Sequence, residues 1–267
     1  HLGWASGGAG AATALSQYGM LAVGLVYVAR SGAIAAFPQI RASLWQPAVL
    51  GNLLRLNRDI LIRTFALVMS FALFTNWSAA LGTTVLAANT LLLQVITLAA
   101  YFIDGIAFAT ESFAGQFWGA GDRRQLRRLL VWGGGVSGML GLGCALVFNL
   151  WPRSLFRLMT DHPSVLATVP NYVGWLLPIS GFGAIAFMLD GYFLGLTAGR
   201  QLRHSTLSAT LGGFLPLALV AHWQASAHGL WLAMVGLMAV RALTLISAVP
   251  QTLQTMPESA PAVSVDG

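Results

Sequence analysis

The chain has 267 residues, of which 57% are hydrophobic and only 8% are charged. A soluble globular domain of this composition would expose far too much apolar surface, so the composition indicates a polytopic membrane protein. The net charge is +6 and all 14 basic residues are arginines. Positive charge can indicate nucleic-acid binding, but the arginines form no basic face and no aromatic platform accompanies them, so we do not predict that function.

The chain begins at His1 and enters an apolar run without the charged segment and cleavage site of a signal peptide. This start predicts that the sequence is a fragment of a longer protein. The single cysteine, Cys144, lies within an apolar run, so neither a disulfide framework nor a CxxC metal site is predicted.

Seven apolar runs have about the length needed to cross a hydrocarbon core roughly 30 Å thick. We name them spans A to G, and they cover residues 7–29, 60–80, 84–110, 129–151, 167–195, 206–222 and 229–250. Turn-forming residues such as Gly82, Pro152 and Pro163 separate them. The predicted fold class is therefore all-α, a bundle of about seven transmembrane helices.

The placement of arginine predicts the orientation of the bundle. The connections A to B, C to D and E to F carry four, four and two arginines, whereas the connections on the opposite side carry only Arg153 and Arg157. Arginine-rich loops remain cytoplasmic. We therefore expect those three connections to be cytoplasmic, together with the polar tail (residues 251–267), which is predicted to be disordered.

The connection between spans A and B (residues 30–58) is the longest of the cytoplasmic connections. Within it, SLWQPAVLGNLLRLN places Leu50, Leu53 and Leu54 beside Asn52 and Arg55. This pattern is typical of a short amphipathic helix in the cytoplasmic interface. A plain linker between two groups of spans is the alternative.

Span C carries two carboxylates, Asp104 and Glu111, before the arginine cluster at residues 123–128. A spacing of seven places them on nearly the same helix face, about 10 Å apart along the axis. An ionised side chain in hydrocarbon costs from about 2.5 kcal/mol upward, so it persists mainly where it is paired, transiently protonated or facing a watery cavity. Both acids are predicted to couple cation or proton movement, with a helix-end ion pair as the alternative for Glu111.

Span E contains one acid, Asp190, and span G contains one base, Arg241. Counted from the turns at Gly119 and Gly199, both Asp104 and Asp190 lie in the inner half of the membrane, and Asp190 is the third predicted coupling acid. Arg241 lies too deep to reach the interface and is predicted to pair with an acid such as Asp190 or Glu111.

Uncharged polar residues on spans B and C are predicted to line a substrate cavity. They are Asn76, Asn89, Gln94 and Tyr101, of which the last two share a helix stripe. The alternative is that such groups hydrogen-bond neighbouring helices. Beyond Arg63, span B has no charged residue, so a cation held there would depend on neutral oxygens.

The sequence contains no motif for covalent or metal chemistry. The five histidines fall at span ends or in loops, and no HExxH, GxSxG or phosphate-binding loop is present. We therefore predict no enzymatic activity, no metal site and no cofactor beyond a coupling ion, H+ or Na+.

Several segments together carry a family resemblance that covers nearly the whole chain. They are GGAGAATALSQ (7–17), NRDILIRT (57–64), LGTTVLAANTLLLQ (81–94), the DG and E of YFIDGIAFATE (101–111), GQFWGAGDRRQLRR (115–128) and DGYFLGLTAGR (190–200). In combination they resemble the MATE (multidrug and toxic compound extrusion) family, most of all its DinF branch.

MATE proteins have twelve spans in two six-helix lobes. The resemblance implies that residues 1–29 are the family's sixth span, that residues 59–250 form the complete second lobe, and that the first lobe is missing. It also implies export of cationic or amphipathic drugs across the inner (plasma) membrane in exchange for H+ or Na+, by alternating access between the lobes. The predicted partners are the lipid bilayer, small organic cations and the missing lobe.

Single residues carry part of this implication. Asp190 matches the family's acid on the tenth span, whereas the acid that some members carry on the seventh span has no counterpart in span B. Asp104 and Glu111, on the eighth span, are candidates to replace it. The acid on the first span of DinF-like members would lie in the missing lobe.

The predicted mechanism is that Asp104, Asp190 and Glu111 bind or release a monovalent cation, and that its loss permits a cationic, amphipathic substrate to bind. Two other functions stay open at this stage. One is a flippase for lipid-linked oligosaccharides, for which a cationic cavity with several unpaired arginines would be expected. The other is a membrane scaffold or membrane enzyme without transport activity.

Overall fold

The computed structural model of the chain describes residues 5–30 and 47–256. Within those ranges the backbone forms helices and turns and no strand. The chain divides into two units, residues 1–55 and residues 56–267. The first contains the helix Ala5–Arg30 and the first nine residues of the helix Pro47–Ala80, and the second contains the rest of that helix and all later elements. Most of the predicted A to B connection (residues 31–46) and the end of the predicted tail (residues 257–267) lie outside the described residues.

Ten α-helices are present in the described ranges. They are α1 (Ala5–Arg30), α2 (Pro47–Ala80), α3 (Thr83–Gly119), α4 (Arg123–Leu150), α5 (Pro152–Arg157), α6 (Pro163–Thr168), α7 (Leu176–Gly195), α8 (Gly199–Ser208), α9 (Leu215–Trp223) and α10 (Ala227–Gln254). Two 3₁₀ turns, Val169–Asn171 and Val173–Trp175, lead into α7, and a π-helical segment, Ala209–Phe214, joins α8 to α9.

The predicted number of spans is confirmed for the described residues. Seven helical segments there are long and apolar enough to cross a membrane, with bounds Gly10–Arg30, Leu53–Ala80, Thr83–Gly119, Arg123–Leu150, Val173–Gly195, Gly199–Trp223 and Ala227–Gln254. They correspond to spans A to G in order. The chain is a multi-pass, all-α membrane protein.

Several helices begin earlier or end later than the apolar runs suggest. Residues 47–58 of the A to B connection are helical and continue without a break into span B as the first turns of α2. The arginines of residues 123–128 form the first turns of α4 instead of a loop. The cause is the side chain of Asp122, which accepts a hydrogen bond from the backbone N–H of Gln125 at 2.9 Å and so caps α4 immediately before the arginines.

Two tight turns depend on glycine. Gly82, between α2 and α3, has φ +112°, and Gly121, between α3 and α4, has φ +70°. Residues with a Cβ rarely adopt this left-handed backbone. Both pairs of consecutive spans are therefore joined by turns of two or three residues, which makes them antiparallel neighbours.

Helix α7 packs closely against α3 and α4 through small residues. A Cβ added at Gly191 would overlap the backbone carbonyl of Ala107 on α3, and one at Gly195 would overlap that of Glu111. On the α4 side, a Cβ at Gly141 would lie 2.9 Å from the Cβ of Ala184. Backbones in membrane bundles approach this closely only where small residues face each other.

The buried apolar side chains form two clusters near opposite ends of the second unit. One includes Phe74, Leu92 and Trp231, and the other includes Leu126, Phe193 and Leu245. On α3 and α10 the charged residues Asp104 and Arg241 fall in sequence between the positions that supply these two clusters. The fold thus places its intramembrane charges at the level between two apolar cores.

Candidate functional site

The charged side chains inside the bundle meet at one carboxylate. Oδ2 of Asp190, on α7, accepts a hydrogen bond from Nη2 of Arg63 on α2 and another from Nη2 of Arg241 on α10. The sequence left two acids as partners for Arg241, and the structure selects Asp190. Three membrane-spanning helices are therefore joined at a single ionic centre.

This centre is almost entirely removed from solvent. The side chains of Arg241, Asp190 and Arg63 are 0%, 7% and 15% exposed, respectively. Buried ions persist only where opposite charges and hydrogen bonds compensate for lost hydration. Arg241 receives further compensation from the ring of Phe187, which lies 5.1 Å from its guanidinium carbon.

Asp104 lies at the edge of this centre. Its charge interacts with those of Asp190, Arg63 and Arg241. The side chain is partly exposed, and no hydrogen bond or ion pair joins it to another described residue. We call Arg63, Asp104, Asp190 and Arg241 the four-charge cluster. Its two acids and two arginines give a formal net charge of zero.

The hydrogen bonding of the four-charge cluster is incomplete. Four buried polar atoms have no partner among the described residues, namely Nε of Arg63, Oδ1 of Asp190 and both Nε and Nη1 of Arg241. Buried polar groups in proteins are nearly always satisfied. These atoms are available to bind water, an ion or a substrate.

Glu111 is not part of the four-charge cluster. It is partly exposed on α3 and forms no ion pair with a described residue. Of the three predicted coupling acids, the structure brings together Asp104 and Asp190.

The four predicted cavity residues occupy different environments. Asn89 is buried, where its amide donates to Oγ of Ser78 and its carbonyl oxygen accepts from Nε1 of Trp231, both at 2.9 Å. Gln94 is exposed and Tyr101 is 71% exposed. Asn76 lines a groove of about 900 Å³ that is formed almost entirely by one face of α2. A substrate-contacting role for these residues stays a prediction.

Arg63 is the functional candidate that the sequence analysis missed. It stands at the start of span B, where an arginine is readily explained as a topology signal. One helical turn earlier on the same helix, Asp59 pairs with Arg203 of α8 at 2.5 Å and with Arg58 at 3.2 Å. The spacing of four between Asp59 and Arg63, two opposite charges on one face, was the available signal.

The π-helical segment was also not predicted. It contributes Thr210, whose Oγ1 lies 3.3 Å from Oγ of the buried Ser70 on α2. Its Gly213 packs against α10, where an added Cβ would lie 2.6 Å from the carbonyl oxygen of Gly236. Single π turns within α-helices occur frequently at functional sites.

Comparison with known families gives one match that covers most of the second unit. The model of the family described as MatE matches residues 60–219. These residues include three of the four members of the four-charge cluster.

Individual relatives agree with that match. The chain is 33% identical to DNA damage-inducible protein F of Escherichia coli (strain K12), over 89% of the chain and 51% of the relative. It is 28% identical to the probable multidrug resistance protein NorM of Pseudomonas putida (84% and 47%) and 26% identical to the chloroplastic protein DETOXIFICATION 44 of Arabidopsis thaliana (90% and 45%). The chain thus spans about half the length of these relatives.

A solved structure has the same fold. The crystal structure of the Vibrio cholerae MATE transporter VcmN in the bent form superposes with a TM-score of 0.69, covering 84% of this chain and 53% of that one. At 18% sequence identity, this likeness concerns the fold alone.

Proposed function

The chain belongs to the MatE family, as its motifs predicted, and on this premise we propose that it forms the second lobe of a drug-exporting antiporter. The family consists of transporters, so the prediction that the chain is not an enzyme is confirmed. The proposed activity is export of cationic or amphipathic compounds in exchange for H+ or Na+. The proposed setting is the plasma membrane, with the carboxyl terminus in the cytoplasm and a first lobe of the same protein as partner.

The observation that carries this proposal is the four-charge cluster. Charges inside a membrane bundle are costly and commonly mark ion or substrate pathways. A cluster that is neutral overall but holds one carboxylate without a direct partner is suited to taking up and releasing a single positive charge. An alternating-access transporter needs such a group at the interface of its two lobes.

The two acids of the cluster differ in what their neutralisation would cost. Loss of the charge on Asp190 would leave the guanidinium groups of Arg63 and Arg241 without their shared counter-ion, and Arg241 is fully buried. Loss of the charge on Asp104 breaks no hydrogen bond to a described residue. We assign Asp104 as the acid that exchanges, and Asp190 as the fixed counter-ion that joins three helices.

This assignment makes a proton and a monovalent cation equivalent at Asp104. Either one changes the formal charge of the cluster from zero to +1, and binding both at once would give +2 beside two arginines. Since charges at close range repel strongly in a medium of low dielectric constant, the two ligands exclude each other. Mutual exclusion of coupling ion and cationic substrate is the property that an antiporter requires.

The proposal assigns different roles to the other predicted residues. Tyr101 lies three residues before Asp104 on an exposed part of α3, so it is suited to contact an apolar substrate beside that acid. Gln94 and Asn76 are exposed on α3 and α2 and are assigned to the same cleft. Asn89 joins helices, and Glu111 is left outside the exchange step.

The test is dye efflux by the full-length protein in membrane vesicles, with imposed gradients of pH and of Na+. We expect one of the two gradients to drive efflux of a fluorescent cation, and Asp104→Asn to reduce that driven efflux at least tenfold without changing the amount of folded protein. Asp161→Asn removes the same charged group at an exposed position outside the spans and serves as the matched control.

The outcomes separate the alternatives. Absence of gradient-driven efflux in the unsubstituted protein, in both gradients, would refute the antiporter and favour the flippase or scaffold. Efflux that Asp104→Asn leaves unchanged would refute the assignment of Asp104 while the antiporter stands. The double variant Asp190→Asn/Arg241→Gln keeps the cluster formally neutral, and its efflux should still depend on the imposed gradient. If a folded double variant loses that dependence, Asp190 and not Asp104 is the acid that exchanges.

A further inference from the structure

A polar groove of about 520 Å³ lies between α8 and α10, away from the four-charge cluster. Five residues of α8 line one wall and three residues of α10 line the other, namely Arg200, Gln201, His204, Ser205, Ser208, Thr244, Ala248 and Gln251. Seven of these eight side chains carry a polar group. The lining contains two basic side chains and no acid.

The positive charge in this groove has no counter-ion among the described residues. Nε of Arg200 donates a hydrogen bond to Nε2 of His204 at 3.5 Å, and Nη2 of Arg203 lies 3.4 Å from the same nitrogen. No acidic side chain in the described ranges lies within 4 Å of Arg200. The neighbouring Arg203 differs, because its guanidinium is already bound to Asp59. Arg200 therefore offers its remaining donors to a ligand.

The groove lies at one end of the bundle, where the predicted topology places the cytoplasmic membrane surface. The first turns of α8 and the last turns of α10 form it, and both lie at the end of the bundle that the arginine distribution predicts to be cytoplasmic. Toward the membrane interior, the exposed side chains become apolar. Leu211, three residues after Ser208, is 60% exposed, and Leu243, next to Thr244, is 59% exposed.

We propose that this groove binds an anionic phospholipid, with its phosphate at Arg200 and His204 and its acyl chains along Leu211 and Leu243. A guanidinium forms paired hydrogen bonds to phosphate oxygens, and the hydroxyl and amide groups of Ser208, Gln201 and Gln251 supply further donors. The change from a basic polar end to an apolar end matches the change from headgroup to chain in a lipid at the bilayer surface.

The floor of the groove connects this site to the helix that carries Arg241. Ser205 donates to the backbone carbonyl of Arg241 at 3.1 Å, and its Oγ lies 2.7 Å from Oγ1 of Thr244. A headgroup bound across α8 and α10 would therefore stabilise the contact between these helices. Binding should raise the thermal stability of the protein as well as being detectable directly.

The experiment measures lipid binding to the full-length protein in detergent, by native mass spectrometry and by thermal unfolding, and does not depend on transport. Phosphatidylglycerol is compared with phosphatidylcholine, which has the same chains and a neutral headgroup. We expect phosphatidylglycerol to bind at least tenfold more tightly, and Arg200→Gln/His204→Gln to remove that preference. Arg124→Gln/Arg127→Gln deletes charge from the exposed first turns of α4 at the same end of the bundle and should leave the preference intact.

Three results would overturn the proposal. They are equal binding of the two lipids, an unchanged preference in the Arg200/His204 variant, and an equal loss of preference in the α4 control. Inorganic phosphate and soluble glycerophosphate form a further arm of the experiment. If either stabilises the protein at the same free concentration as phosphatidylglycerol, the groove is a site for soluble phosphate, and the assignment to a lipid is wrong.

Discussion

Substitution of Asp190 by asparagine should destabilise the second unit strongly, although the two side chains have nearly the same volume. The carboxylate is the direct partner of both Arg63 and Arg241, and the Arg241 side chain is fully buried. Breaking a buried ion pair by removing one partner costs about 3–5 kcal/mol, because the remaining charge is left without compensation. We expect a loss in this range, since Asp104, the other acid of the cluster, forms no hydrogen bond or ion pair with either arginine.

The same reasoning predicts a recovery when the second charge is also removed. In Asp190→Asn/Arg241→Gln, the cluster keeps Arg63 and Asp104 and is again neutral, and replacement of a complete buried pair by neutral groups is often tolerated. The unfolding free energy of the double variant should therefore lie closer to that of the unsubstituted protein than to that of the single variant. A coupling of about 1–3 kcal/mol between the two positions is expected for residues in direct contact.

Thermal unfolding in detergent micelles, followed by tryptophan fluorescence, measures both effects. A loss of about 3–5 kcal/mol corresponds to a fall in melting temperature of roughly 6–20 °C for a chain of this size class. Asp104→Asn is the matched control, because it removes an acid from the same cluster that bonds to no described residue, and it should change the melting temperature by only a few degrees. The reasoning would be refuted by equal melting temperatures for the unsubstituted protein, Asp190→Asn and Asp190→Asn/Arg241→Gln. It would also be refuted by a double variant that is less stable than Asp190→Asn.

Three further substitutions test other parts of the structure. Gly191→Ala should lower the unfolding free energy by about 1–3 kcal/mol, because the new methyl group overlaps the carbonyl of Ala107. The control is Gly105→Ala on α3, whose methyl group meets no atom within 4 Å and which should be neutral or stabilising in the same melting assay. Asn89→Leu should cost about 1–3 kcal/mol and change the fluorescence of Trp231, whose indole N–H loses its acceptor; an unchanged emission spectrum would contradict this contact. Asp59→Asn should cost about 1–3 kcal/mol, because it removes the charged partner of Arg203 from a pair whose side chains are only 9% and 19% exposed; an unchanged melting temperature would contradict this contact.

Sequence reasoning recovered the number of spans because the hydrophobic length needed to cross a bilayer is a strong constraint. It also recovered the family, and it identified Asp190 as one of two partners for Arg241. The choice between those partners depends on which faces of α7 and α10 meet, and side-chain spacing along one helix contains no information about the rotation of another.

The features that escaped prediction have physical reasons of a similar kind. Arg63 stands where membrane proteins place topology-determining arginines, so its pairing inside the bundle could not be distinguished from that common role. The arginines of residues 123–128 were assigned to a loop because hydropathy measures apolarity and not helix propensity, and arginine is a good helix former. In the π-helical segment, Gly213 packs closely against Gly236, a contact between residues 23 positions apart that no local pattern indicates.

The close approach of α3 and α7 also bears on how the second unit is able to change shape. Where backbone touches backbone and no side chain intervenes, two helices cannot slide or rotate against each other without collision, so α3 and α7 behave as one rigid body. Helix α2 is joined to its described neighbours mainly through long side chains, such as Arg63 to Asp190, Asp59 to Arg203 and Phe74 to Trp231. Side chains reorient at low cost while backbones in contact do not. We therefore expect any change of shape within the second unit to occur along α2, and the four-charge cluster joins α2 to the rigid pair of α3 and α7.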